Sequence, residues 1–249
     1  RCLTEALDDI DPIVRCNAAG SLGCIGFSET PIEPLQSLFN DPDPTVRSAA
    51  LYALTNLLNE ERGRELVGEI IPLLNDEATT VRCHALILLG AVGHTDAVRP
   101  ITENSLNDHD PLVRENGVLS LGAILGSDRA SRKSRKIREQ SPEPEKELQE
   151  WEKTVASANQ LANPCVIELL RDEEHSVVRA ATSTLQKINA GEDHGGSYAS
   201  WRTWWDRVER QGALETHRTE QAPSTPETPS QAEPTPPEPP SLGPAPEGE

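Results

Sequence analysis

Asp41-Pro42-Asp43-Pro44-Thr45-Val46-Arg47 is the stretch on which the fold turns, because the chain repeats it. Asp9-Ile10-Asp11-Pro12-Ile13-Val14-Arg15 comes before it. Asp76-Glu77-Ala78-Thr79-Thr80-Val81-Arg82 and Asp108-His109-Asp110-Pro111-Leu112-Val113-Arg114 come after. A weaker fifth copy reads Asp172-Glu173-Glu174-His175-Ser176-Val177. The valines of successive copies lie 32, 35, 32 and 64 residues apart, the last gap being two periods of 32. A fixed period of roughly 20–50 residues marks a protein made by stacking one supersecondary unit on itself.

Each copy ends one helix and opens the next. Before the second copy, Pro34, Leu35, Leu38 and Phe39 fall at the three-and-four spacing of an amphipathic helix, which Asn40 to Asp43 interrupt. Asp43 stands where an N-cap belongs, and Pro44 at the first helical position, where a missing N–H costs nothing. Val46, Ala50, Leu54 and Leu58 then form one helical face. The same frame gives Val14, Ala18, Leu22; Val81, Ala85, Leu89; Val113, Gly117, Leu121; and Val177, Ala181, Leu185. Gly26, Gly93 and Gly126 sit where left-handed caps are expected to close these helices.

The acid that opens each phrase and the arginine that closes it have two readings. In a stack of parallel hairpins, Asp9, Asp41, Asp76 and Asp108 can face Arg15, Arg47, Arg82 and Arg114 of their own or the next repeat. Such a charge-assisted ladder would fix the register of stacking. Alternatively, the acids favour a helix N-terminus through its dipole and the arginines are unrelated surface groups. Identical register in four copies favours the ladder. In the fifth copy Val178 takes the arginine's place, and no rung is expected there.

Paired helices with D-x-D-P-x-V-R-x-x-A-x-x-x-L-G running between and through them resemble HEAT repeats, close to the PBS-lyase-type, HEAT-like subgroup. The resemblance covers residues 1–126 and 162–190. It implies an all-α fold, an α-solenoid of HEAT-like helical hairpins. Residues 1–126 would hold repeats 1 to 4, the first truncated, and 163–190 repeat 5. The family spans scaffolds, transport receptors and a few enzymes, so fold alone does not assign function.

Composition agrees with small-residue helix packing, since hydrophobic residues make up 35% of 249 with two Phe and two Tyr. One hairpin buries too little apolar surface to stand alone, so its neighbours must stack. Arg1 begins the chain and Leu3 and Leu7 read as the last turns of a helix, so we read it as a fragment of a longer protein. The longest apolar run, Ala85 to Gly93, is far short of the roughly 20 residues of a membrane span. Five cysteines at 2, 16, 24, 83 and 165 show no metal spacing and read as reduced thiols, which favours a cytoplasmic setting. A net charge of −18 argues against non-specific DNA or anionic-membrane binding.

Residues 127–162 carry no repeat phrase. Arg129, Arg132, Lys133, Arg135, Lys136 and Arg138 crowd the first part, and six Glu against two Lys occupy 139–153. This charged insertion reads as a solvated linker or degenerate repeat. The run Arg129–Arg138 is the one candidate for RNA, phosphate or an acidic partner. Leu148, Trp151 and Val155 predict a helix over 145–162, with Asn163-Pro164 a fresh N-cap and first turn. Residues 191–218 comprise a linker and a helix whose Trp201, Trp204, Trp205 and Val208 form one aromatic stripe. That stripe suits a cap over the last repeat's open end, or a partner's hot spot. Residues 219–249 hold ten prolines and six Glu and read as a disordered, Pro-rich tail, with PxxP spacings at Pro223, Pro226 and Pro229 and at Pro234, Pro237 and Pro240.

No catalytic constellation emerges. The HEAT-like deoxyhypusine hydroxylases carry His-Glu pairs just after the Val-Arg to hold two irons. Here those dipeptides are Cys16-Asn17, Ser48-Ala49, Cys83-His84 and Glu115-Asn116. HEAT-like DNA glycosylases use a basic groove that this acidic chain lacks. HEAT-like phycobilin lyases chaperone a tetrapyrrole through diffuse motifs, and a PBS-lyase-like chromophore lyase is the alternative reading. No cofactor or metal is expected. The leading expectation is a non-catalytic scaffold binding a protein through a concave face of second helices at Asn17, Tyr52, His84, Ile87, Asn116 and Leu119. Ile87 and Leu119 would equally serve contacts between repeats.

Overall fold

The computed structural model describes residues 2–26, 32–58, 60–190 and 192–220, with side chains to 211. Among them there is helix and turn but no strand. Residues 1–208 form one compact unit and 209–249 a second. Most of the expected tail, 221–249, lies outside the described residues.

Five helices follow the five phrases: α1 (Pro12–Ile25), α2 (Pro44–Leu57), α3 (Thr79–Val92), α4 (Pro111–Leu125) and, after the insertion, α7 (His175–Ile188). Between α4 and α7 run α5 (Ser127–Gln140) and α6 (Pro144–Glu168), and α8 (Tyr198–Glu220) comes last. The phrase acts as the sequence predicts at three starts. Asp11, Asp43 and Asp110 accept the N–H of Ile13, Thr45 and Leu112, each with proline in the first turn. The third copy has Ala78 at that place and no side-chain cap, although Asp76 accepts the Ala78 N–H as Asp9, Asp41 and Asp108 accept the N–H of Asp11, Asp43 and Asp110.

Helices α1, α2, α3, α4 and α7 pack in series, each on the next. The shorter helical segments 2–8, 33–40, 60–75, 95–105 and the end of α6 pack behind them as first helices. These first helices are broken into short α, 3-10 and π turns, with Pro72 and Pro100 inside two of them. The Val–Ala–Leu face is the core. Val46, Ala50, Leu54, Val81, Ala85, Leu89, Val113, Leu121, Val177, Ala181 and Leu185 are fully buried. Val14 is the exception at 38% exposed, because no described helix covers the outer side of α1. Close approach is set by glycine. A Cβ on Gly23 would lie 2.5 Å from Ala53 Cα, and one on Gly122 would lie 2.8 Å from Thr184 Oγ1.

Three expectations are corrected. Gly126 is not left-handed like Gly26 (φ 65°) and Gly93 (φ 70°). Its φ of −61° and ψ of 146° are extended, because its carbonyl at once accepts the N–H groups of Arg129 and Ala130 that open α5. The basic run is a 14-residue helix rather than a linker. No helix break occurs at Asn163-Pro164 either. Helix α6 runs 25 residues with Pro164 inside it. A mid-helix proline costs about 3 kcal/mol, which burial of Ala162, Val166 and Ile167 on either side offsets. Asn163, 1% exposed, does not cap but trades amide hydrogen bonds with Asn189 at 3.2 and 2.6 Å.

Candidate functional site

The ladder residues come together across repeats. Arg15 donates Nε and Nη2 to Asp41 at 2.7 and 2.8 Å, and Arg47 does the same to Asp76 at 2.8 Å each. Arg82 reaches Asp108 at 2.8 and 3.1 Å. Each arginine turns its remaining Nη1 back to the carbonyl of the acid that opens its own phrase, at Asp9, Asp41, Asp76 and Asp108. One guanidinium therefore ties its own turn to the next repeat's turn, with the planar two-bond geometry that suits carboxylates. The hydrogen bonds of Arg15 and Arg114 hold the Asp41 and Asp172 carboxyls below their usual range.

Two members behave differently from the expectation. Asp9 makes no ion pair among the described residues, and its carboxylate accepts the Asp11 N–H. The fifth copy does carry a rung, because Arg114 grips Asp172 at 2.7 and 2.8 Å. An arginine is missing from that copy, but the acid is what the preceding repeat needs. The rung leaps 58 residues, so the insertion leaves the stack of second helices at Gly126 and the stack resumes at α7.

The expected face residues lie on one side of the second helices. Tyr52, Ile87 and Leu119 are 50, 39 and 42% exposed, Asn17 is exposed, and His84 and Asn116 are half-buried. Tyr52 and His84 meet with ring centroids 5.7 Å apart. His84 Nδ1 is held at 2.6 Å from Ser48 Oγ, so Nε2 is the nitrogen left for other chemistry. Burial lowers the His84 pKa, because desolvation disfavours the charged ring. Asn116 folds its amide back onto the Leu112 carbonyl at 2.7 Å. Sequence reasoning missed Ile13 and Leu112, 67 and 57% exposed, although both share this side at one turn's spacing. Burial also raises the Cys83 and Cys165 thiols. Among the described residues no cluster of three His, Cys, Asp or Glu could hold a metal ion.

Helix α5 is strapped to the array. Lys133 pairs with Glu60 at 2.6 Å, Arg129 with Glu60 at 3.4 Å and with the Val92 carbonyl, and Lys136 with Glu61. Burial works to raise the Glu60 carboxyl, but Lys133 and its neighbours prevail and the net shift is downward. At the far end Trp201 and Trp205 are buried in the core. Trp201 donates Nε1 to the Gly195 carbonyl at 2.8 Å and meets Trp204 edge to face. That Trp-rich helix caps the last repeat.

Comparison with known proteins agrees with this geometry. A family model of HEAT repeats matches residues 67–133, and one described as non-SMC mitotic condensation complex subunit 1 matches 13–97. An uncharacterized phycocyanin operon protein Z from Pseudanabaena tenuis is 28% identical over 94 residues, covering 38% of this chain and 44% of that protein. The chain thus spans less than half the length of this curated relative. Among solved structures, a designed armadillo repeat protein is 17% identical with a TM-score of 0.52, covering 90% of this chain and 93% of its own. Another, in complex with the peptide (KR)4, is 18% identical with a TM-score of 0.53, covering 91 and 93%. These two likenesses show the stacked-hairpin fold alone. The repeated phrase, the serial packing of its helices and the family models over residues 13–97 and 67–133 together give the chain a HEAT-type solenoid of stacked hairpins.

Proposed function

We propose that this chain is a non-catalytic scaffold that binds a protein partner across the open side of α1 to α4. One observation carries the reading. In a protein of net charge −18, the charged residues of α1, α2 and α3 are Arg15, Arg47 and Arg82 alone, and each is tied to a carboxylate. What remains outward is apolar or neutral: Ile13, Tyr52, Ile87, Leu112 and Leu119, with His84 as a polar point. An acidic protein has no folding reason to keep one side of four adjacent helices nearly free of charge. Protein interfaces are depleted in charge at their cores and enriched in aromatic anchors, and Tyr52 suits that role.

Affinity capture from native lysate, comparing wild type with Tyr52→Ala and Leu119→Ala, tests the assignment. A stoichiometric partner retained undiminished by both variants would place the interface elsewhere. The similarity to a phycocyanin operon protein supports a second reading, a chromophore lyase or chaperone. Co-expression with a bilin and an acceptor subunit would then give visible-range absorbance on one of them; colourless products rule it out.

A further inference from the structure

Where α5 leaves the stack, the neutral side of the second helices changes character. Ala91 and Ala123 continue the stripes of Ile87 and Leu119 by one helical turn. They floor a cleft of about 300 Å³, together with Gly90, Gly122 and Gly126, and its walls include Arg129, Arg132 and Lys187. The glycines are there because α3, α4 and α7 run too close for side chains. A Cβ on Gly90 would lie 3.2 Å from Ser120, and one on Gly122 would lie 2.8 Å from Thr184. Their effect is a recess whose backbone is open and whose rim is cationic.

The cations are not equivalent. Arg129 is consumed by Glu60 and the Val92 carbonyl. Arg132 and Lys187 are exposed, and neither has a partner among the described residues. Asp128 is the one acid in the lining, and it sits at the start of α5, where the helix dipole favours it. Arg132 bears on Arg129 as a like charge, so two guanidiniums crowd one site. An adjoining recess along α5 is lined by Leu58, Glu60, Ala91, Arg129, Arg132, Lys133 and Lys136, and there Lys133 is paired with Glu60 and Lys136 with Glu61, which leaves Arg132 as the cation shared with the cleft. Screening limits the reach of the distant acids to about 8 Å at physiological salt, so an approaching segment meets this local charge rather than the net charge of the chain.

We propose that this cleft receives the carboxylates of an Asp/Glu-bearing segment of a partner protein, with the segment's apolar side chains lying on Ile87 and Leu119. The inference rests on the scaffold reading above and gives that partner its chemistry. Arg132 supplies a two-pronged donor and Lys187 a point charge on the opposite wall. The apolar floor beside the rim favours an acidic peptide over nucleic acid. A polyanionic backbone would gain nothing from the apolar surface of Ile87 and Leu119.

The test uses the whole chain and a fluorescein-labelled twelve-residue peptide of repeated Asp-Glu-Leu. Two further peptides replace its acids by Lys or its Leu by Ser, and an oligo-dT of equal charge completes the set. Fluorescence anisotropy reads the binding. The acidic peptide should bind, lose about tenfold affinity to Arg132→Glu/Lys187→Glu, and lose affinity again when its Leu becomes Ser. The Lys peptide should gain on the reversed variant. Tighter binding of oligo-dT than of the acidic peptide, or no binding of the acidic peptide, overturns the proposal. If Leu119→Asp weakens the peptide while Arg132→Glu/Lys187→Glu leaves it unchanged, the cleft assignment fails and the scaffold reading stands. If neither variant matters, both fail.

Discussion

Arg47→Met is the perturbation that tests the stacking most directly. Arg47 gives both carboxylate oxygens of Asp76 a donor at 2.8 Å and turns Nη1 to the carbonyls of Asp41 and Pro42. The two side chains are 10 and 8% exposed, so neither has much water to replace a lost partner. Methionine keeps the aliphatic stem and supplies no donor. Asp76 would then retain the Ala78 N–H as its hydrogen bond in the structure. Removing one side of a buried pair costs about 3–5 kcal/mol, and the surviving Ala78 contact puts this case near 3. Against a typical net stability of about 5–15 kcal/mol that is a large share. Repeats touch only their neighbours, so the loss falls on the joint between the second and third hairpins. Urea unfolding should show a lower midpoint and a smaller m-value, or two transitions in place of one. Adding Asp76→Asn removes the stranded charge and should recover about half the loss. A change below about 1 kcal/mol with an unaltered m-value would refute the reasoning, since the rung would then be surface ornament worth no more than an exposed pair.

Gly23→Ala should destabilise by about 1–3 kcal/mol by forcing α1 off α2, because the new Cβ meets the Ala53 backbone rather than a flexible side-chain end; thermal unfolding checks it. Trp201→Ala should cost about 3–5 kcal/mol and leave the Gly195 carbonyl without its donor, read as early loss of Trp fluorescence in the unfolding curve. Asp41 and Asp172 have folded-state pKa values below the unfolded value of about 3.9. The unfolded chain therefore binds more protons in that window. Their contribution is present above about pH 4 and lost as pH falls through the folded values. Urea midpoints measured from pH 6 to 3 should decline less steeply in Asp41→Asn/Asp172→Asn than in wild type, and equal slopes would move the effect to other carboxylates.

The repeated phrase made most of the fold legible because each of its letters has a local job. Aspartate caps, proline fits the first turn and valine opens the buried face. These are i to i+4 relations, which a linear reading sees. What it could not see are the pairings that exist only after stacking. That each arginine grips the next repeat's acid, and that Arg114 skips to Asp172, depends on which helices become neighbours. The same holds for Lys133 on Glu60 and for His84 on Ser48, 73 and 36 residues apart. At Pro164 the local rule itself misled: proline reads as a helix start, but burial of the flanking face outweighed it. Tyr52, Ile87 and Leu119 were legible as an outward stripe by subtraction from the Val–Ala–Leu face. Ile13 and Leu112 were not, because they precede the valine that set the frame.

The rungs also bear on elasticity. They run along the edge where the second helices begin, each guanidinium anchored in two turns at once. The edge where those helices end is braced where α5 lies across Val92 and Glu60. A force spreading the array would therefore hinge on the arginine edge and open the other like a fan.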